Sequence, residues 1–311
     1  MRKSLFTLSL LLSIFISYAQ NDSTKIWRSG GFSSITFSQV SLTNWAAGGQ
    51  NSVAINGNLS LFANRVKQRS KWENSLDLAY GLIKQGETNF SKSNDLINLT
   101  TKYSYRIKPQ SDKWFYSTLV DFRTQFYEGV DEEGKFISDF MAPGYLVTSI
   151  GVSYDPNDKF SFNYQPITAK FTFVNDQGLA NQGAYGVKPA VFDTDGVTVI
   201  TPGKTTRSEF GSFFRAKYKD DIFESRLELF TNYKRGFGST DVNWQNSLVL
   251  QLTKILSMNV FTHLIYDDDV KIEADDNNDG IIQDSEIKSR VQFKSVLGVG
   301  LTYKFGAQPA E

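Results

Sequence analysis

Hydrophobic and polar residues alternate singly through most of this chain, and nowhere more strictly than near its end. In Val296-Leu297-Gly298-Val299-Gly300-Leu301-Thr302-Tyr303-Lys304-Phe305, Val299, Leu301, Tyr303 and Phe305 share one parity, and Gly298, Gly300, Thr302 and Lys304 the other. Successive side chains of a strand point to opposite faces, so the pattern is that of a strand with one apolar and one polar face. About twelve such segments are legible between turn residues, near 31–42, 50–67, 71–86, 92–108, 113–128, 144–155, 159–174, 206–219, 222–236, 242–254, 257–270 and 288–305. Each is long enough to span a bilayer as a tilted strand, which takes roughly 9 to 11 residues.

The connections follow a second pattern. Gln68-Arg69-Ser70, Pro109-Gln110-Ser111-Asp112, Pro156-Asn157-Asp158, Asp220-Asp221 and Ile255-Leu256 are short, and they alternate with the longer stretches 43–49, 87–91, 129–143, 175–205, 237–241 and 271–287. Short periplasmic turns, long external loops and an even strand count are the organisation of an outer-membrane barrel, and a closing strand that ends on an aromatic fits it. The expected fold class is therefore all-β: a transmembrane antiparallel β-barrel of about 12 strands. Trp72, Trp114, Phe160 and Phe223 each follow a short turn, while Tyr105, Tyr154 and Tyr218 each precede one. They predict a periplasmic girdle, because amphipathic rings prefer the headgroup level.

Charges sort to one face. In 222–234, Phe223, Leu227, Leu229 and Tyr233 oppose Glu224, Arg226, Glu228 and Lys234; likewise Trp72, Leu76, Leu78, Tyr80 and Leu82 oppose Glu73, Ser75 and Asp77. Lysine or arginine facing lipid at midplane costs about 2 to 4 kcal/mol, which directs these charges to the lumen. The inward set is Glu73, Asp77, Lys102, Arg106, Asp121, Arg123, Arg215, Lys217, Glu224, Arg226, Glu228, Lys294 and Lys304. Such a mixture either pairs across a filled interior or lines a small pore, and twelve strands lie between the filled eight-stranded and open sixteen-stranded cases. At Gln165-Pro166 the apolar parity slips, from Phe160, Phe162 and Tyr164 to Phe171 and Phe173. A bulge is expected there, since proline cannot donate to the ladder.

Composition narrows the remaining classes. Arg2 and Lys3, an apolar run from Leu5 to Ile16 and Ser17-Tyr18-Ala19 read as a secretory signal cut after Ala19. The expected division is 1–19 signal peptide, 20–30 short periplasmic segment, 31–305 barrel and 306–311 tail. The absence of cysteine removes disulfides, thiol chemistry and a lipidated N-terminal Cys. Lys+Arg and Asp+Glu both number 33, without the basic excess of a nucleic-acid binder. Aromatics at 14% suit interfacial girdles. With His263 the only histidine, triads and histidine-rich zinc sites drop out; its parity is inward, and it reads as a lumen hydrogen-bonding residue of a protein that is not an enzyme.

One stretch satisfies every constrained position of a twelve-residue calcium loop. From Asp275 to Glu286, Asp275, Asn277 and Asp279 offer side-chain oxygens, Ile281 its carbonyl, Gln283 a direct or water-mediated contact and Glu286 two oxygens, with Gly280 at the sharp turn. The loop resembles that of EF-hand proteins over these residues alone. Strands rather than helices flank it, so weak external Ca2+ binding, about 10⁻⁴ to 10⁻³ M, is the expectation, against a merely solvated acidic loop. Asp193-Thr194-Asp195-Gly196 is a fragment of the same motif and reads as a turn. Loop 175–205 is too long to be a plain connection: it either folds into the lumen as a constriction or stands outside as a contact surface.

Several segments together resemble a known family: Ser41-Leu42-Thr43-Asn44-Trp45-Ala46-Ala47-Gly48-Gly49, Gln125-Phe126-Tyr127-Glu128-Gly129, Met141-Ala142-Pro143-Gly144-Tyr145, Leu264-Ile265-Tyr266-Asp267-Asp268-Asp269 and Val291-Gln292-Phe293-Lys294. They are similar to a bacterial outer-membrane family catalogued as a domain of unknown function, from about Gln39 to Phe305. The resemblance implies the barrel and the outer membrane and carries no activity. Asn44, Trp45, Gly48 and Gly49 read either as a tight hairpin with an interfacial Trp or as a stacking grip on a sugar or peptide ring. The expected protein is a monomer in the outer membrane of a Gram-negative bacterium. Its expected partners are membrane lipid, lipopolysaccharide and, through the C-terminal strand, the barrel-assembly machinery. Two functions stay open: a pore or transporter for small solutes or an apolar ligand, gated by loop 175–205, or a structural or surface-interaction barrel with an occluded lumen and a calcium-stiffened loop.

Overall fold

A computed structural model describes residues 26–42, 50–109, 112–131, 134–236, 239–272, 274, 276–277 and 283–306. Twelve strands form the wall: β1 (Trp27–Val40), β2 (Ser52–Lys67), β3 (Ser70–Gln85), β4 (Ser91–Arg106), β5 (Trp114–Thr124), β8 (Gly144–Tyr154), β9 (Phe160–Phe173), β12 (Thr206–Lys219), β13 (Phe223–Asn232), β14 (Thr240–Gln251), β15 (Leu256–Tyr266) and β18 (Gln292–Gly306). Three small hairpins decorate the loops: β6 (Gly129–Val130) with β7 (Phe136–Ser138), β10 (Val191–Phe192) with β11 (Val199–Thr201), and β16 (Lys271–Ile272) with β17 (Lys288–Ser289). The wall is a closed antiparallel barrel in which each strand pairs with its sequence neighbour in the wall, and β1 pairs with β18. Closure leaves the wall no free edge, as a bilayer requires of a sheet that crosses it. Among the described residues no helix is long and apolar enough to cross a membrane.

The register sets which side chains share a face. Ile35, Leu301 and Phe37 point outward, whereas Ser34, Thr36 and Thr302 are buried inside. Expected and observed strand ends agree within a few residues, but β1 already begins at Trp27 and β13 stops at Asn232. The expected bulge is present. Ile150 pairs with Ile167 and Val152 with Tyr164, so Gly151 faces both Gln165 and Pro166. A Cβ at Gly151 would lie 2.1 Å from the Tyr164 carbonyl oxygen, which fixes glycine at this crowded point. The outward Tyr233 hydroxyl donates to the Pro166 carbonyl oxygen at 2.7 Å.

At the end bearing the short turns, aromatic rings run from strand to strand. Trp27 meets Trp72 at 5.4 Å between centroids, Trp114 meets Tyr154 at 4.5 Å, Phe160 meets Tyr218 at 4.7 Å and Tyr218 meets Phe223 at 6.1 Å. The Trp72 indole donates to Thr101 Oγ1 at 2.8 Å, so a wall-facing ring finds a polar partner at the interface.

Candidate functional site

The lumen is built by the inward parity of the strands, and its two sides differ. Strands β5, β8, β9, β12, β13 and β14 project long charged and aromatic side chains. Asp121 of β5 accepts from Arg215 of β12 at 2.7 Å, and Arg215 in turn lies 2.7 Å from Glu228 of β13. Arg123 of β5 donates to the same Glu228 at 3.1 Å. Leu119, Phe213 and Phe230 point inward and pack together beside these pairs. The Arg215 guanidinium lies 5.3 Å from the Phe213 ring centre. Asn243 Nδ2 also donates to Glu228 at 3.0 Å, and its Oδ1 accepts from His263 Nε2 at 2.7 Å. The only histidine is thus one link in the lumen's hydrogen-bonded web.

The other side, β15, β18, β1, β2, β3 and β4, carries small polar residues such as Ser34, Thr36, Asn56, Ser257 and Thr302, with Gly298 and Gly300 at inward positions. Among the described residues a single ion pair reaches straight across. Arg226 of β13 and Asp77 of β3 sit on strands six places apart in a ring of twelve, diametrically opposed, with their charged atoms 4.0 Å apart. Arg226 is anchored by Gln245 Oε1 at 2.5 Å, and Asp77 by the Ser60 hydroxyl at 2.6 Å. Lys294 of β18 donates to Asn94 of β4 at 2.7 Å, a crossing four strands wide, as is that of Arg123 to Glu228.

Several lumen polar atoms are buried without a protein partner among the described residues. They include Nδ2 and Oδ1 of Asn98, Asn56 Oδ1, Ser104 Oγ, Ser153 Oγ, Asn163 Oδ1 and Gln165 Oε1. Leaving such a group unsatisfied costs about 1 to 3 kcal/mol, a local cost that the closed lumen carries.

Above the charged layer, at the long-loop end, lies a second cluster. Lys170 is held by Asp241 at 2.5 Å and Asp267 at 3.3 Å, and Arg207 joins Glu209 at 2.5 Å and also binds Asp269. The loop expected at 175–205 docks here and does two different things. Its first part folds: Asp176 Oδ1 caps the helical turn Gln177–Asn181 by accepting from Leu179 N at 2.8 Å. Val174, Leu179, Ala180 and Val187 bury against Ala142, with Phe136 and Tyr185 packed alongside. Tyr185 donates to the Ile137 carbonyl at 2.7 Å, and burial pushes its phenol up to about 12. Gly186 reaches over the mouth and its carbonyl accepts from Arg207 at 3.4 Å. The second part, the β10–β11 hairpin, stands free with Val191, Phe192, Val199 and Ile200 exposed. The fragment Asp193–Gly196 is its turn, where Asp195 accepts from Val197 N at 2.9 Å and Thr198 N at 2.8 Å.

The sequence-derived inward charges are in the lumen, but Lys170, Arg207, Glu209 and Asp241 escaped that reading. The signal for Lys170 was present: the Pro166 slip that places Phe171 and Phe173 outward also turns Lys170 and Thr172 inward. Inward Leu119, Phe213 and Phe230 have no such signal, because an apolar residue at an inward position simply looks like a break in alternation.

Of the calcium-loop positions, Asp275, Asp279 and Ile281 lie outside the described residues, as do Asn44, Trp45, Gly48 and Gly49 and the stretch 1–25. Asn277, Gln283 and Glu286 are described. The buried Glu286 carboxylate accepts from Asp276 N and Gln283 N, both at 2.9 Å, and so clasps the two ends of the loop. Arg290 and Lys288 both bind Asp276, at 2.7 Å each, and hold its carboxyl down at about 2. Among the described residues no three acidic or histidine side chains converge as a metal site.

Comparison with known proteins places part of this wall. A search of curated protein sequences finds no match. Among solved structures, an outer membrane channel from Pseudomonas putida F1 is 9% identical, over 93% of this chain and 100% of the other, with a TM-score of 0.39. The translocator domain of the autotransporter NalP from Neisseria meningitidis is 11% identical over 97% and 96%, with a TM-score of 0.29. The P. putida toluene transporter TodX is 9% identical over 93% and 81%, also with a TM-score of 0.29. Residues 37–130, the wall from the end of β1 through β5 into the following loop, match the model of a family described as "Protein of unknown function (DUF3078)".

Proposed function

We propose that the protein is an outer-membrane diffusion channel for small hydrophilic solutes, closed at mid-height in the conformation described. The observation that carries this reading is the half-lumen lined by small side chains, Ser34, Thr36, Asn56, Ser257 and Thr302 with Gly298 and Gly300 at inward positions, opposite the charged half. An interior evolved only to be filled would set large side chains there, because filled interiors are close-packed. The mixed charges favour no strong selection by sign, and the polar wall disfavours an apolar cargo. The Arg226–Asp77 pair is the bar across the passage, since among the described residues it joins diametrically opposed strands, at 4.0 Å. An apolar outer face with interfacial rings supports the membrane placement.

Single-channel recording of the refolded barrel in a planar bilayer tests the proposal. Asp77→Asn, which weakens the bar but keeps its size, is expected to raise the frequency and conductance of openings above wild type. A folded barrel that carries Asp77→Asn, lacks 175–205 and is still as silent as wild type sinks the channel reading and leaves an occluded, structural barrel.

A further inference from the structure

The charges along the passage are divided unevenly between its two ends. At the long-loop end Lys170, Arg207 and Arg235 are held by five carboxylates, those of Glu209, Asp241, Asp267, Asp268 and Asp269, and Lys294 adds one further cation. The loops that connect the wall strands at this end, 41–51, 86–90, 125–143, 174–205, 233–239 and 267–291, contain 18 acidic residues against 8 basic. The short-turn end has the opposite balance. Its turns, 68–69, 107–113, 155–159, 220–222 and 252–255, are even, with 5 of each sign. The inward strand positions beside them carry Lys71, Lys102, Arg106, Lys217, Lys219 and Lys304 against Glu73 and Glu224.

Pairing does not cancel that basic excess. Lys102 takes Glu73 at 2.8 Å, Lys217 and Lys219 share Glu224 at 2.8 and 3.0 Å, and Lys71 turns to Asp155 at 3.1 Å, whereas Arg106 and Lys304 enter no ion pair among the described residues. The crossing layer between the two ends is matched, with Arg123, Arg215 and Arg226 against Asp77, Asp121 and Glu228. A cleft lined by one sign of charge raises the local concentration of counter-ions. The acidic end therefore gathers cations and the basic end anions. When a field drives cations in from the long-loop end, anions enter from the short-turn end, and both fill the middle. With the field reversed, each ion must first cross the end that repels it, and the middle empties.

We propose that the passage is a rectifier, carrying small cations inward and small anions outward more readily than the reverse, with little net selection by sign because its ends oppose each other. This rests on the channel reading. The test is the current–voltage curve of the Asp77→Asn barrel in a planar bilayer or, if that stays closed, of the same barrel lacking 175–205. Currents at the two polarities are expected to differ by about twofold at 0.1 M salt and to converge at 1 M, where the Debye length shrinks from about 10 to about 3 Å. Reversal potentials in a potassium chloride gradient read each end separately, whichever way the barrel inserts. Adding Asp267→Asn with Asp268→Asn is expected to shift selectivity towards chloride, and adding Arg106→Gln with Lys304→Gln towards potassium; each pair also lowers the asymmetry of the curve. Heat-modifiable gel mobility shows which variants are folded, and the curve of the parent barrel needs neither pair. A conducting parent with a symmetric curve at 0.1 M salt, or folded pairs that shift the reversal potential in the same direction or not at all, overturns the rectifier and leaves the channel standing. Silence of the Asp77→Asn barrel lacking 175–205 overturns both.

Discussion

Glu228 shows how single residues govern the lumen. It is 5% exposed and is shared by Arg215, Arg123 and Asn243. Removing one partner of a buried charge pair typically costs about 3 to 5 kcal/mol, because the other charge is stranded. Glu228→Gln is therefore expected to lower the temperature at which the folded gel band converts to the unfolded one. Asp276 gives a pH-dependent counterpart outside the wall. Its pKa in the folded loop is about 2, held down first by the Arg290 hydrogen bond and then by Lys288. An unfolded aspartate titrates near 3.9. The Asp276 contacts thus stabilise the β16–β17 hairpin above about pH 4 and are lost as pH falls towards 2. Amide exchange at Ser289 and Arg290 should quicken across that window, and in Asp276→Asn it should already be fast at neutral pH.

At the scale of elements, the cap and the bulge are the parts that depart from a plain barrel. The cap is pinned at Gly186, which has φ +76° and a Cβ direction ending 2.2 Å from Arg207 Nη1. Gly186→Ala pays a left-handed penalty of about 1 to 2 kcal/mol and also collides with Arg207. Limited proteolysis should then cut 188–204 faster than in wild type, while the barrel core stays resistant. The bulge at Pro166 was legible because a parity slip beside a proline has one local explanation. The cap was not: nothing in 175–205 foretold that Val174, Leu179, Ala180 and Val187 would find Ala142 and Phe136, residues of a different loop. The loop divides in the structure, since the Tyr185–Gly186 turn rests on Arg207 at the long-loop end while β10–β11 stands outside with its apolar residues exposed.

For the whole molecule, the channel reading puts two barriers in series: the docked part of loop 175–205, anchored at Arg207 and Asp269 at the long-loop end, and the Arg226–Asp77 bar across the lumen. Two barriers in series predict that neither lesion alone gives full conduction. Deleting 175–205 is expected to leave the barrel closed or nearly so, and combining the deletion with Asp77→Asn to give the largest currents in planar bilayers. Equal currents from the deletion alone and from the pair would place the whole barrier in the cap. By itself the sequence determined the wall, because period-two alternation, turn spacing and the cost of charge in lipid are local or one-dimensional constraints. It therefore also determined a set of inward charges, from Glu73 to Lys294, though not Lys170, Arg207, Glu209 and Asp241. Only the closed tertiary structure decided which of those charges meet. Arg226 and Asp77 are nearly half the chain apart, and their pairing depends on strand number, stagger and side-chain reach together.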